Sequence, residues 1–342
     1  MPIKSLKILN VMAFQRNWRK NDKAVQDGFV LKFNDGINVI IGENAVGKTT
    51  ILKMIYAATQ WSIEKTHLDK TKKFSDFFSS NLQDTDLLKN NIQKEDYSFF
   101  EVSDGKHKFE YSLSHKGFFN SDSWVGLNMK SVFIPTTEML SHSKGFLALN
   151  QKYRLPFDGT QVDIVVNASL PEARELPEYF DKILERISGI IGGEVVFEND
   201  SFYILKEGNQ KIEFSLEAEG FRKLGLIWKL IRNGLLEKGT VLLWDEPEAN
   251  INPELMPLIV DILLEMQQSG VQIFMATHSY NLAKYFETRR QSTEQVSFHN
   301  LYKRNEVIVS STANYLSELP ENKIIEADEK LLDEAFARNL GD

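Results

Sequence analysis

The feature that most constrains this chain is a glycine-bounded loop between a predicted strand and a predicted helix. The apolar run 37–41 precedes the loop, and the apolar residues of 51–56 follow it at helical spacing. The loop matches G-x-x-x-x-G-K-[ST] and consists of Gly42, Glu43, Asn44, Ala45, Val46, Gly47, Lys48 and Thr49, with Thr50 behind it. Its glycines let successive backbone N–H groups point inward around a polyphosphate, and the helix start adds a positive dipole end. This context predicts a phosphate site; the alternative is a chance match in a glycine turn.

Composition narrows the class of protein further. The chain has 342 residues, of which 42% are hydrophobic and 26% charged, enough for one large domain or two smaller ones. A formal net charge of −8 does not indicate a basic nucleic-acid binder, although a local basic patch is compatible with it. The absence of cysteine excludes disulfides and thiolate chemistry and suits a reducing cytoplasm. The start of the chain has a strand pattern, and no apolar run is long enough to span a bilayer.

A second motif lies about 200 residues after the loop. The run 241–245 is almost continuously apolar and predicts a buried parallel strand that carries Asp245 and Glu246 to the sheet edge. Asp245 is expected to hold Mg²⁺ together with Thr49, and Lys48 to reach the β- and γ-phosphates. Glu246 is expected to orient or deprotonate the attacking water. The alternative is a solvated strand end.

His278 ends the next predicted buried strand, 271–277. A histidine there can donate a hydrogen bond to a γ-phosphate and hold a water. Taken alone it can equally be a capping or core residue; the order of loop, acid pair and histidine favours the catalytic interpretation.

Outside these motifs the sequence predicts hairpins at Asp35-Gly36 and Asp104-Gly105, an amphipathic helix over 178–190 and a β-meander over 195–214. Asp84 and Asp86 form a D-x-D pair that can hold a metal, but no strand precedes them, so a solvated loop is preferred. A C-terminal acidic amphipathic helix is predicted over 324–340.

Together these motifs resemble those of the ABC-type ATPase head family, which includes SMC, RecF and OLD-type proteins and compact bacterial ATP-binding proteins of the AAA group. The resemblance is carried by the loop 42–50, by 245–253 and by 276–279, within the segments 3–60 and 215–285. It implies an α/β P-loop NTPase fold with a mixed central sheet flanked by helices, an antiparallel β lobe and a helical insertion. It also implies a single domain, 1–342, with core segments 1–60 and 210–315, an inserted lobe 61–209 and a C-terminal helix 320–342.

The family pattern further implies roles for residues outside the two main motifs. Asn250 and Asn252 fall in the D-loop, and Glu138 stands where the Q-loop emerges, as a candidate metal ligand. Glu219 and Gly220 stand where the signature loop begins its helix. Here the sequence departs from the family, because Ala218 precedes that pair where a serine is expected.

The loop of Arg16, Trp18 and Arg19 can stack on adenine or ribose, and a solvated loop is the alternative interpretation. Arg16 is therefore a candidate nucleotide contact.

Three functional hypotheses follow from the sequence. The leading one is a soluble, cytoplasmic, Mg²⁺-dependent ATPase that binds ATP, forms a head-to-tail homodimer and acts on a partner protein. The second is an ATP-gated scaffold or sensor for an effector chain in a bacterial defence or toxin–antitoxin system. The third is a DNA-end or DNA-repair ATPase, which the acidic net charge does not favour.

Overall fold

The structure is a computed structural model that describes residues 1–14, 28–63, 74–78, 88–89, 98–113, 117–119 and 123–340. Strands and helices are numbered in chain order. The central sheet has six strands, in the spatial order β14 (Val307–Ala313), β13 (Val296–Arg304), β3 (Ile37–Gly42), β12 (Gln272–Thr277), β11 (Val241–Asp245) and β7 (Ser131–Ile134). All neighbours are parallel except β13 and β14, so the predicted mixed central sheet is confirmed.

Two antiparallel sheets accompany the central one. The larger has the order β2 (Phe29–Lys32), β1 (Ser5–Leu9), β4 (Phe99–Ser103), β5 (Lys108–Ser112) and β6 (Gly117–Phe119). The smaller is the predicted meander of β8 (Gly193–Glu198), β9 (Ser201–Lys206) and β10 (Gln210–Glu213). The hairpin predicted at Asp104-Gly105 is confirmed, since Ser103 pairs with Lys108 across it.

The described helices of at least eight residues are α1 (Lys48–Trp61), α2 (Phe146–Tyr153), α3 (Gly159–Ser169), α4 (Tyr179–Ile191), α5 (Glu219–Arg232), α6 (Met256–Gln268), α7 (Tyr280–Arg289) and α8 (Lys323–Leu340). Helices α3 to α7 lie on one face of the central sheet and α1 lies on the other, because alternate strand residues face opposite layers. Val39 and Leu242 pack in a core with α3 to α7. Ile40 and Leu243 pack in a second core with α1 and the larger antiparallel sheet.

The hairpin predicted at Asp35-Gly36 is wrong. The strand before it, β2, pairs with β1, whereas the strand after it, β3, pairs with β12 and β13. The turn therefore passes the chain from one sheet to another. Gly36 is required by a close approach, because a Cβ there would lie 2.4 Å from the carbonyl oxygen of Gln295. All residues of β3 are buried, and its two parallel neighbours satisfy its backbone.

Two contacts fix α1, the helix that follows the glycine loop. Lys53 pairs with Asp158 at 2.6 Å, and both side chains are largely buried. Asp158 also caps α3 by accepting from the backbone N–H groups of Thr160 and Gln161. One turn along α1, the Tyr56 hydroxyl donates to Asp163 at 3.0 Å. Helix α1, which follows the glycine loop, is therefore held by α3. In the sequence, α3 lies between the two main motifs.

The division into core segments and an inserted lobe over 61–209 remains a proposal. The strand pairings show which parts of this range belong to the two larger sheets. Within that range, β4 pairs with β1, and β7 pairs with β11 of the central sheet. Most of segment 66–95, including Asp84 and Asp86, lies outside the described residues. Within that range, the helices α2 to α4 and the meander β8 to β10 contribute no strand to either larger sheet, although α3 and α4 pack on the central one.

Candidate functional site

The glycine loop connects the buried strand β3 to the start of α1. Three of its residues have positive φ: Gly42 at 151°, Ala45 at 63° and Gly47 at 92°. A Cβ at Gly47 would lie 2.6 Å from the Phe14 ring, so close packing as well as backbone conformation requires glycine there. Among the described residues, no side chain caps the start of α1. Its first N–H groups are thus available to an anion, which fits a phosphate.

The loop residues divide by exposure. The buried members are Gly42, Val46, Lys48 and Thr50, and the exposed ones are Glu43, Asn44, Ala45 and Thr49. The Lys48 ammonium lies inside the loop and donates to the carbonyl oxygens of Gly42 at 2.7 Å and Glu43 at 2.9 Å. Burial lowers the pKa of Lys48, and the carboxylates of Glu246 and Asp245 oppose that shift. A buried cation held by neutral carbonyls is well placed for an anionic ligand.

The structure brings the loop and the acidic strand end together across 196 residues of sequence. The Thr49 hydroxyl donates to the two carboxylate oxygens of Asp245, at 3.0 and 2.9 Å. The Thr136 hydroxyl, which follows β7, donates to the same carboxylate at 3.1 Å. Burial raises the pKa of Asp245, and the hydrogen bonds from Thr49 and Thr136 counteract this. A hydroxyl and a carboxylate from opposite sides of the cleft therefore meet at one point.

Within the described ranges, no three His, Asp or Glu side chains are grouped as a metal centre made by the protein alone. The oxygen pair of Thr49 and Asp245 nevertheless fits Mg²⁺. This cation usually takes one or two protein ligands and completes its octahedron with substrate phosphates and water. The uncapped helix start and the Lys48 ammonium provide for those phosphates in the same cleft.

Glu246 and His278 form a second pair at the same edge of the sheet. The Nδ1 atom of His278 lies 3.2 Å from a carboxylate oxygen of Glu246. Half of the His278 side chain and 29% of that of Glu246 are exposed, so both reach solvent. Glu246 has a φ of 49°, a conformation that L-residues rarely adopt and that often marks a functional position. The Glu246 carboxylate and the His278 ring thus lie within hydrogen-bond distance of each other.

Glu248 is a site residue that sequence reasoning missed. Its Oε1 atom accepts from the Thr277 hydroxyl at 2.5 Å and from the backbone N–H of His278 at 3.2 Å. Its side chain is buried, and its Oε2 atom has no hydrogen-bond partner among the described residues. Glu248 therefore holds the segment that presents His278. The only sequence signal was a third acid two positions after Glu246, which resembles an ordinary charged loop residue.

In this structure Glu138 contacts groups other than Asp245, and its assignment as a metal ligand stays a prediction. Its carboxylate pairs with Arg222 of α5 at 3.1 Å and accepts from the backbone N–H groups of Leu140 and Ser141. Thr136, two residues earlier, is the member of this segment that contacts Asp245. The segment does reach the site as predicted, but the backbone turn at Leu140 and the cation of Arg222 direct Glu138 toward α5.

The predicted signature and D-loop segments contact each other within this chain. Asn250 donates to a carboxylate oxygen of Glu219 at 2.9 Å, and Lys223 donates to the carbonyl oxygen of Ala249. Burial lowers the pKa of Lys223, against the nearby carboxylates of Glu219 and Glu248. Asn252 caps the following turn by accepting from the backbone N–H of Glu254.

The loop of Arg16, Trp18 and Arg19 lies outside the described residues, so its predicted nucleotide contact stays a prediction. Within the described part of the chain, no helix is long and apolar enough to cross a membrane.

Comparison with known proteins identifies a family that most of this chain matches. The profile of the family described as "AAA domain, putative AbiEii toxin, Type IV TA system" matches residues 57–284. A segment of 65 residues is 38% identical to the arginine transport ATP-binding protein ArtP of Haemophilus influenzae; it covers 19% of this chain and 27% of that protein. The chain thus spans about a quarter of the length of that relative.

Two solved SMC head structures are similar to this chain. A structure of an SMC head bound to the C-terminal winged-helix domain of ScpA aligns with a TM-score of 0.53 at 11% identity, covering 93% of this chain and 99% of that one. The SMC head domain from Thermotoga maritima aligns with a TM-score of 0.49 at 13% identity, covering 92% of this chain and all of that one.

The fold is accordingly the P-loop NTPase fold of the ABC-ATPase type, and the expected ABC-type ATPase head family is confirmed. By the match over two thirds of its length, this chain belongs to the AAA-domain family described as "putative AbiEii toxin, Type IV TA system".

Proposed function

We propose that this chain binds ATP with Mg²⁺ and hydrolyses it. The observation that carries the proposal is the meeting of Thr49 with Asp245, beside a Lys48 ammonium buried in the glycine loop. The carboxylates of Asp245, Glu246 and Glu248 all act electrostatically on Lys48, and the side chain of Asp245 is buried. Buried negative charge of this kind is stabilised when a divalent cation is present.

Each residue of the cleft has a defined task in this proposal. The backbone N–H groups of residues 43–50 and the Lys48 ammonium bind the phosphates, and Thr49 with Asp245 holds Mg²⁺. When bound, this cation neutralises charge on the phosphate oxygens. The Glu246 carboxylate orients a water and accepts its proton, because it is exposed to solvent at the edge of the cleft. His278 lies beside Glu246 and can donate a hydrogen bond toward the same water.

We further infer that ATP brings two copies together head to tail, as the resemblance to ABC-type heads suggests. The signature segment at the start of α5 is accessible for such a contact, since Leu216 and Ala218 beside it are exposed. The serine expected in that loop is replaced by Ala218, so the contact to a partner's phosphate relies on backbone N–H groups at Glu219 and Gly220.

A second candidate function is supported by the family description, which refers to a toxin–antitoxin system. In this version the chain is an ATP-gated scaffold or sensor for an effector protein, and turnover is slow. The SMC head neighbour, whose structure contains a bound ScpA domain, provides a precedent for a protein partner. A DNA-stimulated ATPase remains the third hypothesis, and a steep loss of stimulation with salt is its signature.

The deciding experiment compares the parent protein with Glu246→Gln. The variant removes the proton acceptor and retains a side chain of similar size. We expect ATP binding to persist while turnover falls by about 100-fold or more. Turnover is measured by phosphate release, with and without DNA, and mass is measured with and without ATP. Unchanged hydrolysis by Glu246→Gln contradicts the assignment of Glu246, and a parent protein that does not bind ATP contradicts the proposal as a whole.

A further inference from the structure

The C-terminal helix α8 is nearly unsupported by the rest of the molecule. Its first turn packs through Ile324 and Ile325, which contact the core. Beyond that turn the described side chains are exposed except for the half-buried Asp328, and they include the large apolar residues Leu331, Leu332 and Phe336. Exposed fractions of 57% to 64% for three clustered apolar side chains are unusual for a helix that remains free in solution. A helix of this kind requires a covering surface.

The root of α8 lies at the edge of the sheet that carries the glycine loop. Asn300 of β13 donates to the carbonyl oxygens of Pro320 and Glu321, immediately before the helix. Asn300 is paired with Ile41, the residue before Gly42. Lys323, the first residue of α8, pairs with Glu326 and is also acted on electrostatically by Glu43 of the loop. The helix therefore leaves the body beside the phosphate-binding segment, on the β13 side of the sheet.

Helix α2 is a second exposed amphipathic element, and it packs beside α3, which contacts β7 at the opposite side of the central sheet. It follows the segment that leaves β7, the last strand on that side of the central sheet. Phe146 anchors it by packing on Phe157, with ring centroids 5.1 Å apart. Its remaining large apolar residues are exposed, namely Leu147, Leu149 and Tyr153.

The two helices carry opposite charge. Residues 144–154 contain Lys144, Lys152 and Arg154 and no acid. Arg154 pairs with Asp76, whereas the ammonium groups of Lys144 and Lys152 have no carboxylate partner among the described residues. Beside the apolar residues of α8, the carboxylates Asp328, Glu329 and Asp333 are likewise without an ion-pair partner in the described structure. Apart from Arg338 near its end, α8 thus presents apolar surface flanked by acids without an ion-pair partner, which matches the apolar surface of α2 flanked by lysines without a carboxylate partner.

A head-to-tail dimer brings these two surfaces to the same place. In a pair of copies that face each other at the loop-bearing edge, a two-fold axis perpendicular to the central sheet reverses the strand order in the second copy. The β13 side of one copy then faces the β7 side of the other. We propose that α8 of each copy docks on α2 of the second copy, as an acidic arm on a basic apolar helix. This inference rests on the proposed ATP-dependent dimer.

The absence of cysteine makes the contact directly testable. One chain carries Phe336→Cys and a differently tagged chain carries Leu149→Cys. The two are mixed with Mg²⁺ and a non-hydrolysable ATP analogue and treated with a short bismaleimide. We expect a covalent heterodimer from this pair. The matched control pairs Phe336→Cys with Val30→Cys, because Val30 on β2 is 44% exposed and Leu149 is 48% exposed. We expect no covalent dimer from the control.

Charge reversal tests the same contact without a cross-linker. The double variant Lys144→Glu with Lys152→Glu should weaken the nucleotide-dependent dimer by about 10-fold at low salt. The triple variant Asp328→Lys, Glu329→Lys and Asp333→Lys should weaken it similarly, and mixing the two variants should restore dimerisation.

Measuring the mass of the protein in the same samples distinguishes the absence of a dimer from the absence of the contact between α8 and α2. A parent protein that stays monomeric with the nucleotide overturns both the dimer and this inference. A dimer that forms without the Phe336–Leu149 cross-link overturns this inference alone and assigns α8 to another partner. A cross-link inside one chain that carries both cysteines, in the monomer, also overturns it.

Discussion

The two ends of the central sheet both contain buried polar side chains. Those at the carboxyl edge are charged, whereas those toward the amino end are neutral. At the carboxyl edge, Lys48, Asp245 and Glu248 are buried charges, and the Oε2 atom of Glu248 has no partner among the described residues. Toward the amino end, His299 and Asn38 are neutral and fully buried. The ring nitrogens of His299 contact the Thr312 hydroxyl at 2.9 Å and the Asn38 side-chain oxygen at 3.1 Å.

This difference separates a site from a structural network. A closed set of neutral hydrogen bonds stabilises one arrangement of strands and leaves nothing to bind. Buried charges with unused hydrogen-bonding capacity raise the free energy of the ligand-free state unless a ligand compensates them. The comparison of His278 with His299 makes the same point: the first is half-exposed beside a carboxylate, and the second is enclosed among strands.

The largest expected effect is at the carboxyl edge. Lys48→Ala removes the cation that faces the phosphates, and we expect ATP affinity to fall on the order of 100-fold, since a charged hydrogen bond contributes up to about 3 kcal/mol. Calorimetric titration with a non-hydrolysable ATP analogue measures this. The stability of the free protein should not fall, because burial already disfavours the charged form of Lys48.

The control for Lys48→Ala is Lys130→Ala, at the opposite end of the sheet. Lys130 precedes β7 and pairs with Glu237 on the surface. We expect this variant to bind ATP as the parent does. Equal ATP affinities for the parent, Lys48→Ala and Lys130→Ala contradict the assignment of the glycine loop as the ATP site.

The second prediction concerns the amino-end network. Burial lowers the pKa of His299 from 6.5 to about 4. An unfolded chain takes up this proton near pH 6.5 and the folded chain only near pH 4, so the stabilising contribution is present above pH 6.5 and is lost as the pH falls toward 4. By pH 5 we expect a loss of about 2 kcal/mol from this residue.

Urea unfolding at pH 7.5 and pH 5 measures that loss. Other groups also titrate over this interval, so the comparison is with His299→Gln, which cannot take up the proton. The parent should lose about 2 kcal/mol more stability than the variant between the two pH values. An equal loss in both proteins shows that His299 is not responsible.

The smallest expected effect tests whether Glu248 positions His278. Glu248→Ala removes the acceptor that holds Thr277 and the backbone of His278. We expect kcat to fall on the order of 10-fold with KM nearly unchanged, because the histidine is displaced and the phosphate contacts are not. Glu248→Gln keeps an acceptor oxygen and should retain most of the activity. If Glu248→Gln is as inactive as Glu248→Ala, the charge of Glu248, and not its positioning contact, is what matters.

The strongest sequence predictions were those in which local chemistry determines structure. The glycine loop, the strand before it and the helix after it needed no distant partner to be identified, because positive φ and helix periodicity are local properties. The buried strand before Asp245 was predicted for a similar reason, since a continuous apolar run suits a parallel strand covered on both faces. The hairpin prediction at Asp35-Gly36 was wrong because a turn signal indicates a change of chain direction and does not indicate which strands pair.

Glu138 and Glu248 show where the sequence was insufficient. Both are acids near the site, and their roles depend on which distant group meets each carboxylate. Arg222 and two backbone N–H groups hold the first, whereas Thr277 and His278 meet the second. His299 had no motif at all, and its neutrality follows only from burial between β3 and β14.

The sequence by itself determined the glycine loop between a strand and a helix, the class of fold and the family, because these depend on residue types at short, regular spacing. Only the tertiary structure decided that Thr136 meets Asp245, that Glu248 supports His278 and that α2 and α8 are left uncovered. The physical reason is that charge pairing, burial and exposure are properties of the space around a side chain, and residues far apart in sequence create that space.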